Sequence, residues 1–306
     1  MAGLWLGSEV LIKGAMSLAD RYRLSDALFG MLVLAIGTDL PELFVAFDAS
    51  IRSLAGEDLT GIVIGSAIGS TIGQFALVFG IAGFVGYPAM KRSFLPRNIF
   101  FLVGSIVAVY VFSRDGVVTR PEGWLLILYY AGYLAVLILR RAEMPDEGDE
   151  IEHIAAWKAW LILFGGLALL LIAAELTVVS AANFAQRVGL SNIAVSAIII
   201  GMGSSLPELS VSFVALLRKR GGLSVGNLVG SNVLDTLLVP GVAAVIFPMV
   251  VPPAILLVDL PVLLLTTVLV LIFLYVTRRG IRAPEAAVLL VIYLGYVALR
   301  LGGPGS

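Results

Sequence analysis

Apolar stretches of about 20 residues, the length that crosses a bilayer core, recur along almost the whole chain. Ten are read, at roughly 2–19, 25–51, 61–86, 96–113, 122–140, 156–186, 190–217, 223–249, 254–277 and 284–300. A soluble fold cannot hide so many. With 59% hydrophobic residues, 13% charged residues and a mean hydropathy of +1.03, too little polar surface remains to cover a water-facing domain. The expectation is an all-α membrane protein of ten transmembrane helices, with lipid as its main partner. The first stretch is the weakest, being short and carrying Glu9 and Lys13. No charged leader followed by a short apolar run and a small-residue cleavage site is evident.

The acidic segment 141–154 is the natural divider. It predicts a first five-helix unit at 1–140, an acidic loop at 141–154 and a second five-helix unit at 155–306. Lys and Arg are dispersed among short loops, so the net charge of −1 carries no sign of nucleic-acid binding. Fourteen of them fall in loops after odd-numbered spans and five on the opposite side. The positive-inside rule then places loop 141–154 in the cytoplasm and both termini outside, in a plasma membrane. The chain has no cysteine, and its one histidine, His153, sits in the acidic loop as a solvated residue. Disulfides, thiolate sites and His-rich metal centres are excluded.

Shifted by 166 residues, the chain matches itself without a gap. Glu9 falls on Glu175, Arg21 on Arg187, and Leu40-Pro41-Glu42-Leu43 on Leu206-Pro207-Glu208-Leu209. After a change of loop length the shift becomes 161, bringing Gly65, Gly69 and Ser70 onto Gly226, Gly230 and Ser231. Five spans separate the copies, an odd number, so corresponding helices are expected to run in opposite directions. Two inverted five-helix repeats suit alternating access, because each half can adopt the other's conformation. The first span is about ten residues shorter than its repeat partner; either the helix is short or the start of the chain has been clipped.

The second and seventh spans carry Gly37-Thr38-Asp39-Leu40-Pro41-Glu42 and Gly203-Ser204-Ser205-Leu206-Pro207-Glu208 near their middles. Each proline lacks an N–H and blocks the carbonyl four residues earlier, so both helices are expected to break at Pro41 and Pro207. Unpaired backbone at membrane depth is tolerated where it lines a cavity or holds a ligand. Ser66, Ser70 and Gln74 recur every four residues on the third span, as do Asn227, Ser231 and Asp235 on the eighth, so each trio lies along one helical face. The glycine stripes Gly61, Gly65, Gly69, Gly73 and Gly222, Gly226, Gly230 are expected to let helices approach closely. Asp39, Glu42, Glu208 and Asp235 remain as acids inside the membrane. Each costs ~2.5–3.5 kcal/mol at a helix centre, on the order of 10 kcal/mol together, with no Lys or Arg in the same motifs. A divalent cation, several Na⁺ ions or protons must compensate. Glu9 and Glu175, Asp48 and Asp259 are read as structural acids.

At these motifs the sequence resembles the cation/calcium exchanger superfamily, and most closely its prokaryotic sodium/calcium exchangers. The second half reads GSSLPE and GNLVGSN, then Asp235; the first reads GTDLPE and GSAIGST, then Gln74. The resemblance implies calcium ligands at Glu42 and Glu208, backbone carbonyls at Thr38 and Ser204, and a further carboxylate at Asp235. It places sodium sites at Ser70, Ser205, Ser231 and the carbonyls near Ala35 and Gly201. It also implies that spans 1 and 6 slide across the rest between outward and inward states. Asp39, Ser66, Thr71 and Gln74 depart from its pattern, in the first half only. Asp39 and Gln74 are carried as metal-site residues together with the others.

The function expected is secondary antiport of Ca²⁺ against Na⁺, with small inorganic cations as partners and no covalent cofactor. The alternative is proton-coupled exchange of Ca²⁺ or another divalent, motivated by Asp39. A channel is disfavoured by acids occluding the middle of the path. An intramembrane enzyme is disfavoured by the absence of Cys and of any membrane His.

Overall fold

The computed structural model describes residues 2–57, 59–85, 95–139, 154–187, 203, 205–277 and 280–302. The loop expected at 141–154 falls almost entirely outside them, as do Ser204, Gly201 and the first half of the span expected at 190–217. Helices occupy the rest: α1 (Ala2–Arg21), α2 (Asp26–Thr38), α3 (Leu40–Leu54), α4 (Thr60–Val85), α5 (Leu95–Phe112) and α6 (Arg120–Leu139) precede the loop. After it come α7 (Ala156–Arg187), α8 (Leu206–Leu217), α9 (Gly221–Ile246), α10 (Ile255–Val276) and α11 (Ala283–Gly302). Among the described residues six helices are long and apolar enough to cross a membrane alone, and the bent pair α2–α3 makes a seventh.

The bend between α2 and α3 is 44°. It falls at Asp39, two residues before Pro41, and not at the proline itself. Pro41 and Pro207 instead occupy the first turns of α3 and α8, where a missing N–H costs nothing because no carbonyl awaits it. Among the described residues three π-turns lie inside helices, at Gly30–Leu34, Gly73–Val78 and Ile255–Asp259. Such turns widen a helix by one residue and re-aim its side chains, often at functional sites.

Helices α9 and α4 form the centre, 78% and 72% buried, whereas α6 and α7 are 28% buried and α11 only 17%. The outer helices expose Leu, Val, Ile and Phe, as a lipid-facing surface requires. Close approach of α2 to α9 depends on glycine. A Cβ on Gly226 would lie 2.2 Å from the Ala27 carbonyl oxygen, and one on Gly230 2.8 Å from Met31 Cα. The second stripe therefore packs as expected. The first packs in part: a Cβ on Gly61 would lie 3.3 Å from Pro252 and one on Gly73 3.3 Å from Ser205 Oγ, whereas nothing lies within 4 Å of a Gly69 Cβ and Ser66 beside it is exposed.

Helices α1 and α7 stand somewhat apart. They run antiparallel in backbone contact, with Gly7 against Leu170 and Gly14 against Leu163. Their side chains build a second apolar cluster, distinct from the main one and joined by Val211, Val214 and Ala215 of α8. Two loop contacts set sidedness. The strands β1 (Val117–Val118) and β2 (Met249–Val250) pair antiparallel, and Val250 N donates to Thr60 Oγ1 at 3.1 Å. The turns after α3, α5 and α9 therefore share one membrane face. The Asp26–Arg220 ion pair, at 3.4 Å, groups the α1–α2 and α8–α9 turns together.

Candidate cation site

Five helices bring the polar residues together. Thr38 ends α2, Asp39 occupies the break, and Glu42 lies in the first turn of α3. Ser205 caps α8 and Glu208 lies in its first turn. Helix α4 contributes Ser70 and, from its π-turn, Gln74; α9 contributes Asn227, Ser231, Asn232 and Asp235. All are buried, Glu42 at 7% exposure being the most open. Ser66, the outer member of the α4 trio, stands exposed and away from the others.

Contacts cross between the two halves of the chain. Ser70 Oγ lies 3.3 Å from Ser205 Oγ, and Ser205 Oγ donates to the Ser70 carbonyl at 3.4 Å. Gly73 permits this approach, since a Cβ there would sit 3.3 Å from Ser205 Oγ. Thr38 Oγ1 reaches Asn227 Oδ1 at 3.4 Å and the carbonyls of Leu34 and Ala35 at 3.1 and 3.4 Å. Gln74 Nε2 donates to Asp235 Oδ2 at 3.2 Å and to Ser70 Oγ at 3.3 Å. Asp39 lies within electrostatic reach of Asp235, Glu208 and Glu42.

What these carboxylates lack matters most. Among the described residues, both oxygens of Asp39, Glu42 and Glu208, and Oδ1 of Asp235, are buried without a donor, and Ser231 Oγ is buried without a partner. Buried acceptors without donors are uncommon in native proteins and call for an explanation. Among the described residues no Lys or Arg ion pair reaches them; those seen lie elsewhere. Nor do any three acids converge tightly enough to hold a metal by themselves. A cation here would draw on hydroxyls and carbonyls as well as carboxylates, the mixed oxygen set that Ca²⁺ and Na⁺ accept.

Three neighbours lie outside the set carried as metal-site residues. Asn232 donates to Gln74 Oε1 at 2.7 Å. Asn227 faces Thr38 as described. Tyr130 of α6, 4% exposed, lies within electrostatic reach of Asp39 and Asp235. The Asn-rich motif on α9 was a signal for the first two; nothing in the α6 sequence singled out Tyr130. Two of the acids read as structural have partners. Glu9 accepts from Arg218 Nε at 3.1 Å, and Asp259, 1% exposed, faces Arg300 Nε at 3.5 Å.

Comparison with known proteins bears on the family and the fold. The family model described as sodium/calcium exchanger protein matches residues 1–139 and 158–302. The sodium/calcium exchanger MaX1 of Methanosarcina acetivorans is 24% identical over 96% of this chain and 94% of its own. The inner membrane protein YrbG of Escherichia coli is 27% identical over 86% of this chain and 82% of its own. Among solved structures, the sodium-calcium exchanger NCX_Mj soaked with 2.5 mM Na⁺ and 0.1 mM Ca²⁺ superimposes with a TM-score of 0.82. It is 26% identical, covering 97% of this chain and 94% of that one.

Proposed function

The chain belongs to the sodium/calcium exchanger protein family, and from that membership we propose that it is a secondary antiporter exchanging Na⁺ for Ca²⁺ at the buried carboxylate site. The observation that carries this reading is the set of donor-less oxygens on Asp39, Glu42, Glu208 and Asp235. Ca²⁺ takes about six to eight oxygens, and several Na⁺ ions can use the same ones. Glu42 and Glu208 act as the central ligands. Asp235, Asp39, Ser70, Ser205, Ser231 and the backbone near Thr38 and Ser204 complete the sites, with Gln74 beside them. Because the two cations compete for shared oxygens, one leaves as the other enters.

Obligatory exchange follows from the cost of an empty site. Closing several uncompensated carboxylates away from water is strongly unfavourable, whereas bound cations offset much of that charge. Only the loaded protein then passes through the occluded state. Alternation is assigned to two inverted five-helix repeats, 1–140 and 155–306, joined by the acidic loop 141–154. Orientation follows the positive-inside expectation, with that loop cytoplasmic and both termini outside.

One observation favours a second reading. Asp39 and Glu208 are buried acids within electrostatic reach of each other, and a proton held by such a pair would support exchange of Ca²⁺ or another divalent against H⁺. Uptake of ⁴⁵Ca²⁺ into proteoliposomes loaded with Na⁺, against Na⁺-free and pH-gradient controls, separates the two. Uptake only with an outward Na⁺ gradient is expected. Uptake driven by a pH gradient without Na⁺ would replace the first reading with the second.

A further inference from the structure

We propose that Asn232 is a positioning residue that sets how much of Asp235 is open to the transported cation, acting through Gln74; this rests on the exchange reading above. The argument is a chain of hydrogen bonds. Asn232 Nδ2 donates to the Leu228 carbonyl at 2.8 Å, one helical turn back, and to Gln74 Oε1 at 2.7 Å. The first contact identifies the Asn232 atom as nitrogen, because a carbonyl only accepts. The Gln74 atom facing it is then oxygen, so the amide nitrogen of Gln74 must point the other way, at Asp235 Oδ2 and Ser70 Oγ. Gln74 therefore presents donors to the site, and of the two Asp235 oxygens Oδ1 is the one without a donor among the described residues.

The other half of the chain has no such device. The 161-residue correspondence sets Thr71 against Asn232 and Ala67 against Leu228. Thr71 Oγ1 donates to the Ala67 carbonyl at 2.6 Å, repeating the local bond, but its side chain ends there. Asn232→Thr therefore keeps the local bond and releases Gln74, freeing Asp235 Oδ2 and letting Gln74 turn its oxygen inward. Equilibrium ⁴⁵Ca²⁺ binding and flux are measured on purified full-length protein. Asn232→Thr should tighten Ca²⁺ binding and lower its KM by several-fold with Vmax within twofold. In a Gln74→Ala background the same change should do nothing further. An unchanged KM, or an effect that persists without Gln74, overturns the assignment. Wild-type protein that binds no Ca²⁺ would instead sink the exchange reading, and this inference with it.

A separate observation carries a second inference. The 166-residue shift that superimposes Glu9 on Glu175 also superimposes Arg52 on Arg218. Glu9 and Arg218 form an ion pair linking α1 to the end of α8. Their counterparts do not: Glu175 is exposed and has no ion pair among the described residues, while Arg52 is taken up by Glu57 and, at 4.0 Å, by Asp48. On the inverted-repeat reading the two positions lie toward opposite membrane faces. The geometry points to a reciprocal latch, in which Glu9–Arg218 holds one face closed and Glu175–Arg52 holds the other when the halves exchange conformations. The backbone-packed α1–α7 pair carries both glutamates, so making one latch breaks the other.

The chain has no cysteine, so introduced pairs report alone. Glu9→Cys with Arg218→Cys, and Arg52→Cys with Glu175→Cys, are treated in membranes with a short reducible thiol cross-linker, after monodisperse elution shows that each variant folds. Both pairs should link, each link should stop exchange, and reductant should restore it. Failure of the 52–175 pair to link, or wild-type flux through either linked protein, overturns the latch.

Discussion

Asp39 and Ser205, 166 residues apart, hold the same backbone conformation, φ −88° and ψ 4° at one and φ −88° and ψ 5° at the other. Each stands two residues before a proline and three before a glutamate. The matched backbone aims Glu42 and Glu208 from equivalent first turns, yet the side chains at the break differ, a carboxylate against a hydroxyl. The predictions below use that mixture of symmetry and difference.

Glu42→Gln and Glu208→Gln each remove one charge from the pair and leave the shape almost unchanged. Either should weaken Ca²⁺ transport at least tenfold, about 1.4 kcal/mol of binding, with normal insertion and elution. Wild-type ⁴⁵Ca²⁺ flux in either variant would show that the cation is held elsewhere.

Asp39→Ser gives the first break the hydroxyl class found at Ser205. It should alter ion coupling and leave folding intact. The readout is the ratio of Na⁺-driven to pH-gradient-driven uptake, compared with wild type at matched expression. If that ratio does not move, Asp39 plays a structural part only.

Gly226→Ala places a Cβ against the Ala27 carbonyl, in backbone that cannot step aside. Overpacking of this kind costs about 1–3 kcal/mol, and α2 should be pushed off α9 with loss of transport. Gly69→Ala meets open space and should leave thermal stability and flux near wild type. Equal effects of the two substitutions would contradict the packing described.

Arg300→Ala leaves the carboxylate of Asp259 buried without its counter-ion. The expected loss is about 1–3 kcal/mol, below that of a wholly enclosed pair because Arg300 is 40% exposed. Adding Asp259→Asn should recover most of the melting temperature. No recovery would mean that Arg300 acts through packing or lipid contact.

Much of this protein is determined by local chemistry that a linear sequence displays. Long apolar runs leave lipid as the solvent, Pro41 and Pro207 open the first turns of two helices, and Glu42 and Glu208 follow each proline by one residue. These depend on spacing along one helix, so they survive reading in one dimension. The break at Asp39, ahead of Pro41, is a small correction of the same kind: proline suits the first turn of the new helix better than the gap itself. Other features arise only when helices far apart in sequence meet. Gln74 and Asn232 are separated by 158 residues, and the direction of the Gln74 amide depends on which atom Asn232 presents. A π-turn at Gly73–Val78, invisible to a 3.6-residue period, sets where Gln74 points. The two glycine stripes look alike on paper, yet Gly226 is pressed against Ala27 while Gly69 faces open space. Spacing determines which face of a helix a residue occupies. What that face meets is decided by tertiary packing, because the rotation and depth of each helix are set by all its neighbours at once.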